Sequence, residues 1–338
     1  MTEQYVLGID GGGTKTDFFL FTGEGKFVAH HRGGCVNHEG LEDGFAGTER
    51  ELDAGITALT ERTGIQRQQI GALVGGLAGC DVPSQFRTLD DMAARLGFER
   101  RRIFNDSFLG IKAGIPCGYG VCVVNGTGTV AGGIDRHGNW RQVGGCGLFL
   151  GDEAGGGHMA GMVIRRVHDE LFRLGPPTSM TPRLRALLGN ADEDAFIEDV
   201  YARFYSDSRL RVQTKEILGI LFDEGNRGDA VALGLLRHTG EQMAHSAAGC
   251  IARLDFGPEV DIVLVGSVNL KATCPAMLDA FRESVERLSG KSCRLIPLDV
   301  PPATGAVLWA LELLHGVPVD TDTRIGVIAA VRSALECA

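Results

Sequence analysis

The sequence lacks a long apolar segment, and it lacks closely spaced cysteines. No apolar run approaches the roughly 20 residues that a membrane-spanning helix needs, and the first residues show no basic region followed by an apolar core. The nine cysteines stand singly, with no Cys-x-x-Cys pair, which disfavours zinc and redox sites. The sequence therefore predicts a cytoplasmic protein that does not contact membranes, in which most cysteines are small buried residues.

Positive charge is also in short supply. The chain has 33 Lys and Arg residues against 43 Asp and Glu residues, which gives a formal net charge of −10. This balance disfavours a general nucleic-acid binder. With 338 residues, 44% of them hydrophobic and 22% charged, the composition is that of a globular protein long enough for two domains. The residues leave the formation of a homodimer open.

Glycine, in contrast, is abundant, and the first glycine-rich segment organises the chain. Residues 6–21 contain an apolar run, three consecutive glycines and a second apolar run, which predicts a β-hairpin. Glycine lets a ligand approach the backbone N–H groups closely. Hydroxyl and ammonium groups follow where phosphate oxygens could lie, so the predicted phosphate contacts are Gly12, Gly13, Thr14 and Lys15, with Thr16 as a further donor.

The same hairpin can also be compared with a plain turn and with a Walker A loop. A tight turn with solvated polar residues remains an alternative to phosphate binding. A Walker A loop is excluded because its spacing is missing and no helical pattern follows. Asp10, at the end of the first strand, can hold Mg²⁺ through water.

A second glycine-rich segment repeats this design weakly. Residues 119–134 again contain an apolar run, a Gly-Thr-Gly-Thr turn at 126–129 and another apolar run. The order of strands and helices after each hairpin is typical of an α/β domain with a mixed sheet. We therefore expect a duplicated α/β architecture with a cleft between its halves, residues 1–117 and 118–317. A mostly helical insertion covers about 156–246, and a terminal helix, 318–338, could return to the first half.

The remaining elements follow from periodicity and from breaker residues. Strands are predicted near 26–31, 70–78, 102–104, 260–268 and 292–297. Helices are predicted near 41–63, 83–96, 272–289, 303–311 and 321–336, with a further helix beginning at Asp106 or Ser107.

Asp106 follows a predicted strand, at a position where loops often carry function. A carboxylate there could accept the proton of an attacking hydroxyl group, as a catalytic Asp does in phosphoryl transfer. The two hairpins could hold a polyphosphate from opposite sides, through Gly126, Thr127 and Gly128 in the second one. The alternative is that Asp106 only caps its helix.

Other polar groups lie where the same cleft is expected. In the glycine-dense segment 144–157, Asp152 and Glu153 either bind vicinal sugar hydroxyls or interact with a helix dipole. His38 lies beside Asn37 in the loop 34–40 and is a ligand candidate, whereas a structural role is more common for a residue such as His158. Gly266 and Ser267 follow an apolar strand, where a nucleotide base or ribose could approach the backbone, or where the chain simply turns.

Five segments, taken in order, resemble a known family. Residues 9–16, 105–106, 126–129, 145–155 and 265–268 are similar to those of the N-acetylglucosamine kinase group within the BadF/BadG/BcrA/BcrD ATPase family. That family belongs to the sugar kinase, Hsp70 and actin superfamily, and the resemblance runs from about residue 5 to 315. It implies two ribonuclease-H-like, actin-like ATPase domains that close over ATP-Mg²⁺ and an amino sugar, whose 6-hydroxyl is phosphorylated.

The resemblance also implies residue roles. Thr14 and Thr127 would contact the ATP phosphates, Asp106 would be the base, Asp10 would help to place Mg²⁺, and Gly266 would lie on the adenosine side. The sugar would be bound by Asn37, Gly145, Cys146 and Asp152. Position 146 departs from the family, because the animal enzyme has Trp where this chain has Cys.

Four functions therefore remain open, of which a non-catalytic sugar or nucleotide sensor is disfavoured by Asp106, because a sensor has no need of a base. N-acetylglucosamine is the expected acceptor, and glucosamine or another hexosamine is the first alternative. The second is an ATPase that activates a dehydratase through an iron–sulfur cluster, which the scattered cysteines disfavour.

Overall fold

Two five-stranded mixed sheets form the framework of the protein. The computed structural model describes residues 4–189, 192–206 and 209–337, and within these residues it contains ten strands and twelve helices. Both glycine-rich segments form β-hairpins, as the sequence predicts.

The first sheet has the spatial order β3-β2-β1-β4-β5. Its strands are β1 (Tyr5–Gly11), β2 (Thr16–Thr22), β3 (Phe27–Gly33), β4 (Ile70–Leu77) and β5 (Arg101–Phe104). β1, β2 and β3 are antiparallel neighbours, whereas β4 and β5 run parallel to β1. The parallel crossovers are made by α1 (Phe45–Thr63) and α2 (Pro83–Arg95).

The second sheet repeats the first strand for strand. Its strands are β6 (Gly120–Asn125), β7 (Thr129–Ile134), β8 (Trp140–Gly144), β9 (Glu259–Val265) and β10 (Ser292–Pro297), in the spatial order β10-β9-β6-β7-β8. The directions of pairing are also the same. The predicted duplicated α/β architecture is therefore confirmed. Strand β8 was not predicted, because it is a short edge strand with polar residues at its centre.

Two helices cross between the halves. α3 (Ser107–Gly114) follows the last strand of the first sheet but packs against β6, β7 and β9 of the second. α11 (Ala303–His315) follows the last strand of the second sheet but packs against β1 and β4 of the first. A Cβ atom on Gly305 would collide with the carbonyl oxygen of Leu109, so glycine allows these two helices to cross closely. Because each of these helices packs on the sheet of the other half, the carboxyl ends of the central strands β1, β4, β6 and β9 lie near one another.

The remaining helices cover the sheets. Five lie between β8 and β9: α4 (Gly156–Phe172), α5 (Met180–Leu188), α6 (Glu193–Ser206), α7 (Arg209–Asn226) and α8 (Ala230–Ile251). Next come α9 (Ser267–Leu270) and α10 (Ala276–Ser289). α12 (Thr321–Glu336) buries Val327 and Val331 in the cluster that contains Phe19 and Phe21 of the first sheet. None of the described helices is both long and apolar enough to span a bilayer.

Three differences from the prediction have local causes. The strand predicted to continue to residue 268 ends at Val265, because Gly266 turns the chain with φ of 95°. The helix predicted from 272 begins at Ala276, after Pro275, and the short helix α9 precedes it. The first long helix begins at Phe45 rather than at residue 41, because Gly44 has φ of 56° and so cannot belong to the helix. The expectation that most cysteines are buried is confirmed, since Cys80, Cys122, Cys250, Cys274 and Cys293 are buried.

Candidate active site

The first hairpin has a compact turn with an exposed tip. Gly11 pairs with Thr16, and the N–H of Gly12 donates to the carbonyl oxygen of Lys15 at 2.9 Å. Gly13, Thr14 and Lys15 are exposed at the tip. Because the N–H of Gly12 is used within the turn, a phosphate at this hairpin would meet the groups of the three exposed residues.

Two side chains next to this tip have protein partners. Thr16 is buried and its hydroxyl donates to the carbonyl oxygen of Gly34 at 2.7 Å, so the prediction that it donates to phosphate is wrong. The ammonium of Lys15 lies 3.2 Å from Asp17 Oδ2, and the Oδ1 atom of the same carboxylate is hydrogen-bonded to His30 and Arg32. The charge of Lys15 is therefore partly compensated.

The second hairpin is anchored to the start of α4. The N–H of Gly126 donates to the carbonyl oxygen of Gly128 at 3.0 Å, and Thr127 and Gly128 are exposed. Asn125 accepts a hydrogen bond from the N–H of Gly155 at 2.8 Å. Gly155 has φ of 88°, and a Cβ atom there would lie 2.7 Å from the carbonyl oxygen of Thr127. Glycine is therefore needed where α4 begins against this hairpin.

The predicted adenosine-side residues lie at the base of the same hairpin. A Cβ atom on Gly266 would collide with the carbonyl oxygen of Asn125, and Ser267 begins α9. Asn269 fixes this turn by donating to the carbonyl oxygens of Val123 and Val265, both at 3.0 Å. The ends of β6 and β9 therefore form one rigid edge.

Asp106 is placed at the corresponding edge of the first sheet, directly after β5. Its side chain makes no capping hydrogen bond; the N–H of Ser107 donates instead to the Oδ1 atom of Asn105 at 2.9 Å. The alternative that Asp106 only caps its helix is thus not supported by the geometry. Burial raises the pKa of Asp106 to about 6, although nearby backbone N–H groups favour its ionised form. A carboxylate with this pKa is ionised at neutral pH and suited to act as a base.

Asp10, at the end of β1, is close enough to Asp106 to interact with it electrostatically. Burial, together with the negative charges of Asp106 and Asp17, raises the pKa of Asp10 to about 7. Lys15 and the backbone N–H of Ala303 oppose this effect. The negative charge of this half-buried carboxylate is not balanced by nearby positive charge. Such a carboxylate is a suitable ligand for a divalent cation.

Asp81, which was not among the predicted site residues, connects the two halves. Its Oδ1 atom accepts hydrogen bonds from Asn105 Nδ2 at 2.9 Å and from Gln142 Nε2 at 3.0 Å. Burial raises the pKa of Asp81 to about 7; the Gln142 hydrogen bond opposes this, and the charge of Asp106 adds to it. Asp81 lies four residues after the end of β4. Like Asp106, it follows a predicted strand, and this position was a signal for it in the sequence.

The predicted sugar ligands Asn37 and His38 lie in the loop after β3. A Cβ atom on Gly79 would collide with the Oδ1 atom of Asn37, so this loop packs against the end of β4. The ring of His38 stacks on Phe45 at 3.9 Å between centroids, and its Nε2 atom lies 3.3 Å from Gln85 Nε2. Within the described residues the buried Nδ1 atom of His38 has no hydrogen-bond partner.

The predicted sugar ligands of the second half lie across from Asp81. Gly145 has φ of 83°, and a Cβ atom there would be 2.5 Å from Asp81 Oδ1. Asp152 is 8% exposed and accepts the N–H of Gly147 at 2.5 Å through Oδ2. Its buried Oδ1 atom has no hydrogen-bond partner among the described residues. Cys146 is an exposed residue, but partial desolvation of its thiol, together with the negative charges of Asp81 and Asp152, raises the pKa of that thiol.

These contacts bring the predicted acceptor residues together around Asp81. The loop with Asn37 packs on the end of β4, Asp106 follows the donor Asn105, and Gly145 packs against Asp81 itself. Glu153, in contrast, pairs with His238 at 2.8 Å. Carboxylate and amide oxygens in this arrangement can accept several hydrogen bonds from a polyhydroxyl ligand.

The raised pKa of Asp81 gives a testable stability effect. Its pKa moves from 3.8 to about 7 on folding, so the folded state binds this proton more tightly and loses stability as the pH rises through that interval. We expect Asp81→Asn to stabilise the substrate-free protein by about 1–2 kcal/mol near pH 8 and much less near pH 5. Thermal denaturation at both pH values measures this difference. If Asp81→Asn changed the stability by the same amount at both pH values, the raised pKa of Asp81 would be contradicted.

Comparison with known proteins agrees with this architecture. Residues 7–310 match the model of the BadF/BadG/BcrA/BcrD ATPase family. An N-acetyl-D-glucosamine kinase of Dictyostelium discoideum is 23% identical over 327 residues, covering 92% of this chain and 99% of that protein. An N-acetylmuramic acid/N-acetylglucosamine kinase of Clostridium acetobutylicum is 23% identical over 310 residues, covering 91% and 98%. A crystal structure of a candidate N-acetylglucosamine kinase from Chromobacterium violaceum superposes with a TM-score of 0.63 at 22% identity, covering 92% and 99%.

Proposed function

Because the chain belongs to the BadF/BadG/BcrA/BcrD ATPase family, we propose that it is an ATP-dependent kinase acting on the 6-hydroxyl of an amino sugar. The observation that carries the proposal is the placement of Asp106. Its half-buried carboxylate has a pKa of about 6, makes no capping hydrogen bond and lies beside the Asp81 cluster. A base at that position can deprotonate an acceptor bound by the cluster, so that the acceptor attacks a nucleotide bound at the hairpins.

In this reaction the Asp106 carboxylate accepts the proton of the 6-hydroxyl as its oxygen attacks the γ-phosphorus atom. ADP leaves, and the product is the sugar 6-phosphate. The exposed hairpin tips, Gly13 to Lys15 and Thr127 to Gly128, hold the phosphates in place. Positioning and electrostatics supply most of the rate enhancement in such reactions.

The acceptor is an amino sugar, with N-acetylglucosamine as the leading candidate. The names of the Dictyostelium and Clostridium relatives support this class, and the Clostridium protein is also named for N-acetylmuramic acid. Asn37, His38, Gly145 and Asp152 are the proposed sugar contacts, to which we add Asp81. The open Oδ1 atom of Asp152 and Nδ1 atom of His38 are unused hydrogen-bonding groups that a sugar can satisfy.

Magnesium is the proposed metal, carried in with ATP. Asp10 fits it, because this carboxylate is held at a raised pKa by burial and by neighbouring negative charge. Mg²⁺ would neutralise phosphate charge when bound. Asp10 itself would hold the hydrated ion, and Gly266 and Ser267 would lie beside the adenosine.

ADP release measured with Mg-ATP and a panel of acceptors tests this function. We expect release to depend on an amino sugar, with N-acetylglucosamine compared against glucosamine, N-acetylmannosamine, N-acetylmuramic acid and glucose. ATP hydrolysis that no sugar stimulates would contradict the kinase proposal and would favour an ATPase activator instead.

A further inference from the structure

A cavity beside the second hairpin is lined by a positively charged side chain, Arg165, that has no role in the proposed site so far described. Its volume is about 620 Å³, and Thr127 and Gly128 of the hairpin tip form part of its wall. Gly145 and Asp152 of the proposed sugar site also line it, as does Arg165 of α4. The cavity therefore connects the proposed phosphate site with the proposed acceptor site.

Three side chains of α4 line this wall from one helical face. His158, Met162 and Arg165 are spaced four and three residues apart, so they lie above one another. Gly161 lies between them and has no side chain. A Cβ atom placed on it would have no neighbour within 4 Å, so the space beside this helical face is open. The face is thus an open groove that begins at the hairpin tip.

Two side chains of α4 in this groove, Arg165 and His158, have polar groups without a protein partner among the described residues. Within the described part of the chain Arg165 forms no ion pair, whereas its neighbour Arg166 pairs with Asp169 at 3.3 Å. The Nε2 atom of His158 is buried and has no hydrogen-bond partner among the described residues. An unpaired guanidinium is complementary to an anion, and the His158 ring, whose pKa is lowered by burial, can donate one N–H beside it.

The place of this cavity beside the second hairpin favours a polyphosphate as the anion. The cleft contains the carboxylates of Asp10, Asp81, Asp106 and Asp152, while Lys15 is paired with Asp17. A nucleotide triphosphate would add further negative charge to this region, and the tip of the second hairpin shares its cavity with Arg165. Arg is well suited to phosphate because its planar guanidinium donates two parallel hydrogen bonds.

We propose that Arg165, assisted by His158, binds the polyphosphate chain of the nucleotide. This inference rests on the proposed kinase function and assigns a phosphate contact outside both hairpins. Arg165 would offset the negative charge of the cleft and hold the phosphates against Thr127 and Gly128.

Direct binding of Mg-ADP and of adenosine tests the proposal, with Arg166→Ala as the matched control. Arg165→Ala is expected to weaken Mg-ADP binding about 10- to 100-fold, the range of one lost charge-assisted contact. Adenosine binding and the KM for N-acetylglucosamine should change little. Arg165→Lys should recover part of the loss, because it keeps the charge but not the two parallel donors. Melting temperatures verify that each variant is folded.

Two outcomes would overturn the proposal. One is that Arg165→Ala binds Mg-ADP as tightly as Arg166→Ala does. The other is that it weakens only N-acetylmuramic acid, whose carboxylate would then be the anion that Arg165 meets. Failure of the kinase proposal is a separate result: the wild-type protein would release no sugar-dependent ADP, while the nucleotide-binding comparison would still report on Arg165.

Discussion

Asp106→Asn is expected to lower kcat about 10²- to 10⁴-fold, the contribution typical of a positioned general base. The amide has nearly the same shape as the carboxylate but cannot accept the proton of the acceptor hydroxyl. Since the Asp106 side chain makes no capping hydrogen bond, the start of α3 should not depend on its charge. Steady-state kinetics with an amino sugar measures kcat, and calorimetric binding of a non-hydrolysable ATP analogue shows whether the site is intact.

Asp91→Asn is a suitable control for this change, because Asp91 is an exposed residue of α2. It should leave kcat within about twofold, as expected for a surface substitution. If Asp106→Asn retained more than about a tenth of the wild-type kcat, the general-base role would be wrong. Loss of nucleotide binding together with kcat would instead indicate a damaged site.

Gly266→Ala is expected to weaken nucleotide binding about 100-fold, since small displacements of binding groups have effects of this size. Gly266 has φ of 95° and ψ of 151°, a region that is essentially confined to glycine. An added Cβ atom would also collide with the carbonyl oxygen of Asn125, at the base of the second hairpin. The turn after β9 must therefore shift away from the hairpin.

Calorimetric titration with Mg-ADP measures this loss, and Gly257→Ala provides the control. A Cβ atom on Gly257 would meet nothing within 4 Å, so this variant should bind Mg-ADP as the wild-type protein does. Sugar binding should survive in both variants, because the acceptor residues cluster around Asp81 and not around Gly266. Unchanged Mg-ADP affinity in a folded Gly266→Ala protein would contradict the placement of the nucleotide beside this turn.

Local patterns in the sequence predicted much of the fold. The two hairpins were identifiable because glycines interrupt paired apolar runs, and β10 and α12 have the predicted bounds. The pattern failed at β8, whose residues 140–144 carry Arg and Gln on an edge strand. It also failed to predict that α3 and α11 each pack on the sheet of the other half, because that exchange depends on contacts between residues far apart in the chain.

The candidate site was predicted less completely than the fold. Asp106 was identifiable because it follows a predicted strand, and glycines marked both hairpins. Asp81 also follows a predicted strand, but its hydrogen bonds across the site depend on donors 24 and 61 residues away, Asn105 and Gln142. Thr16 was misassigned because its hydroxyl satisfies a carbonyl group on a neighbouring segment. Hydrogen-bond partners of this kind are set by tertiary structure and leave no local signal.

The most direct test of the kinase account is the identity of the product. Wild-type protein is incubated with Mg-ATP and carbon-13-labelled N-acetylglucosamine, with glucosamine in parallel, and phosphorus and carbon NMR spectra are recorded. The account predicts a phosphate ester on carbon 6, formed in equal amount to ADP and absent with Asp106→Asn. Inorganic phosphate without a sugar ester, or an ester on another carbon, would contradict the claim that Asp106 activates the 6-hydroxyl of an amino sugar.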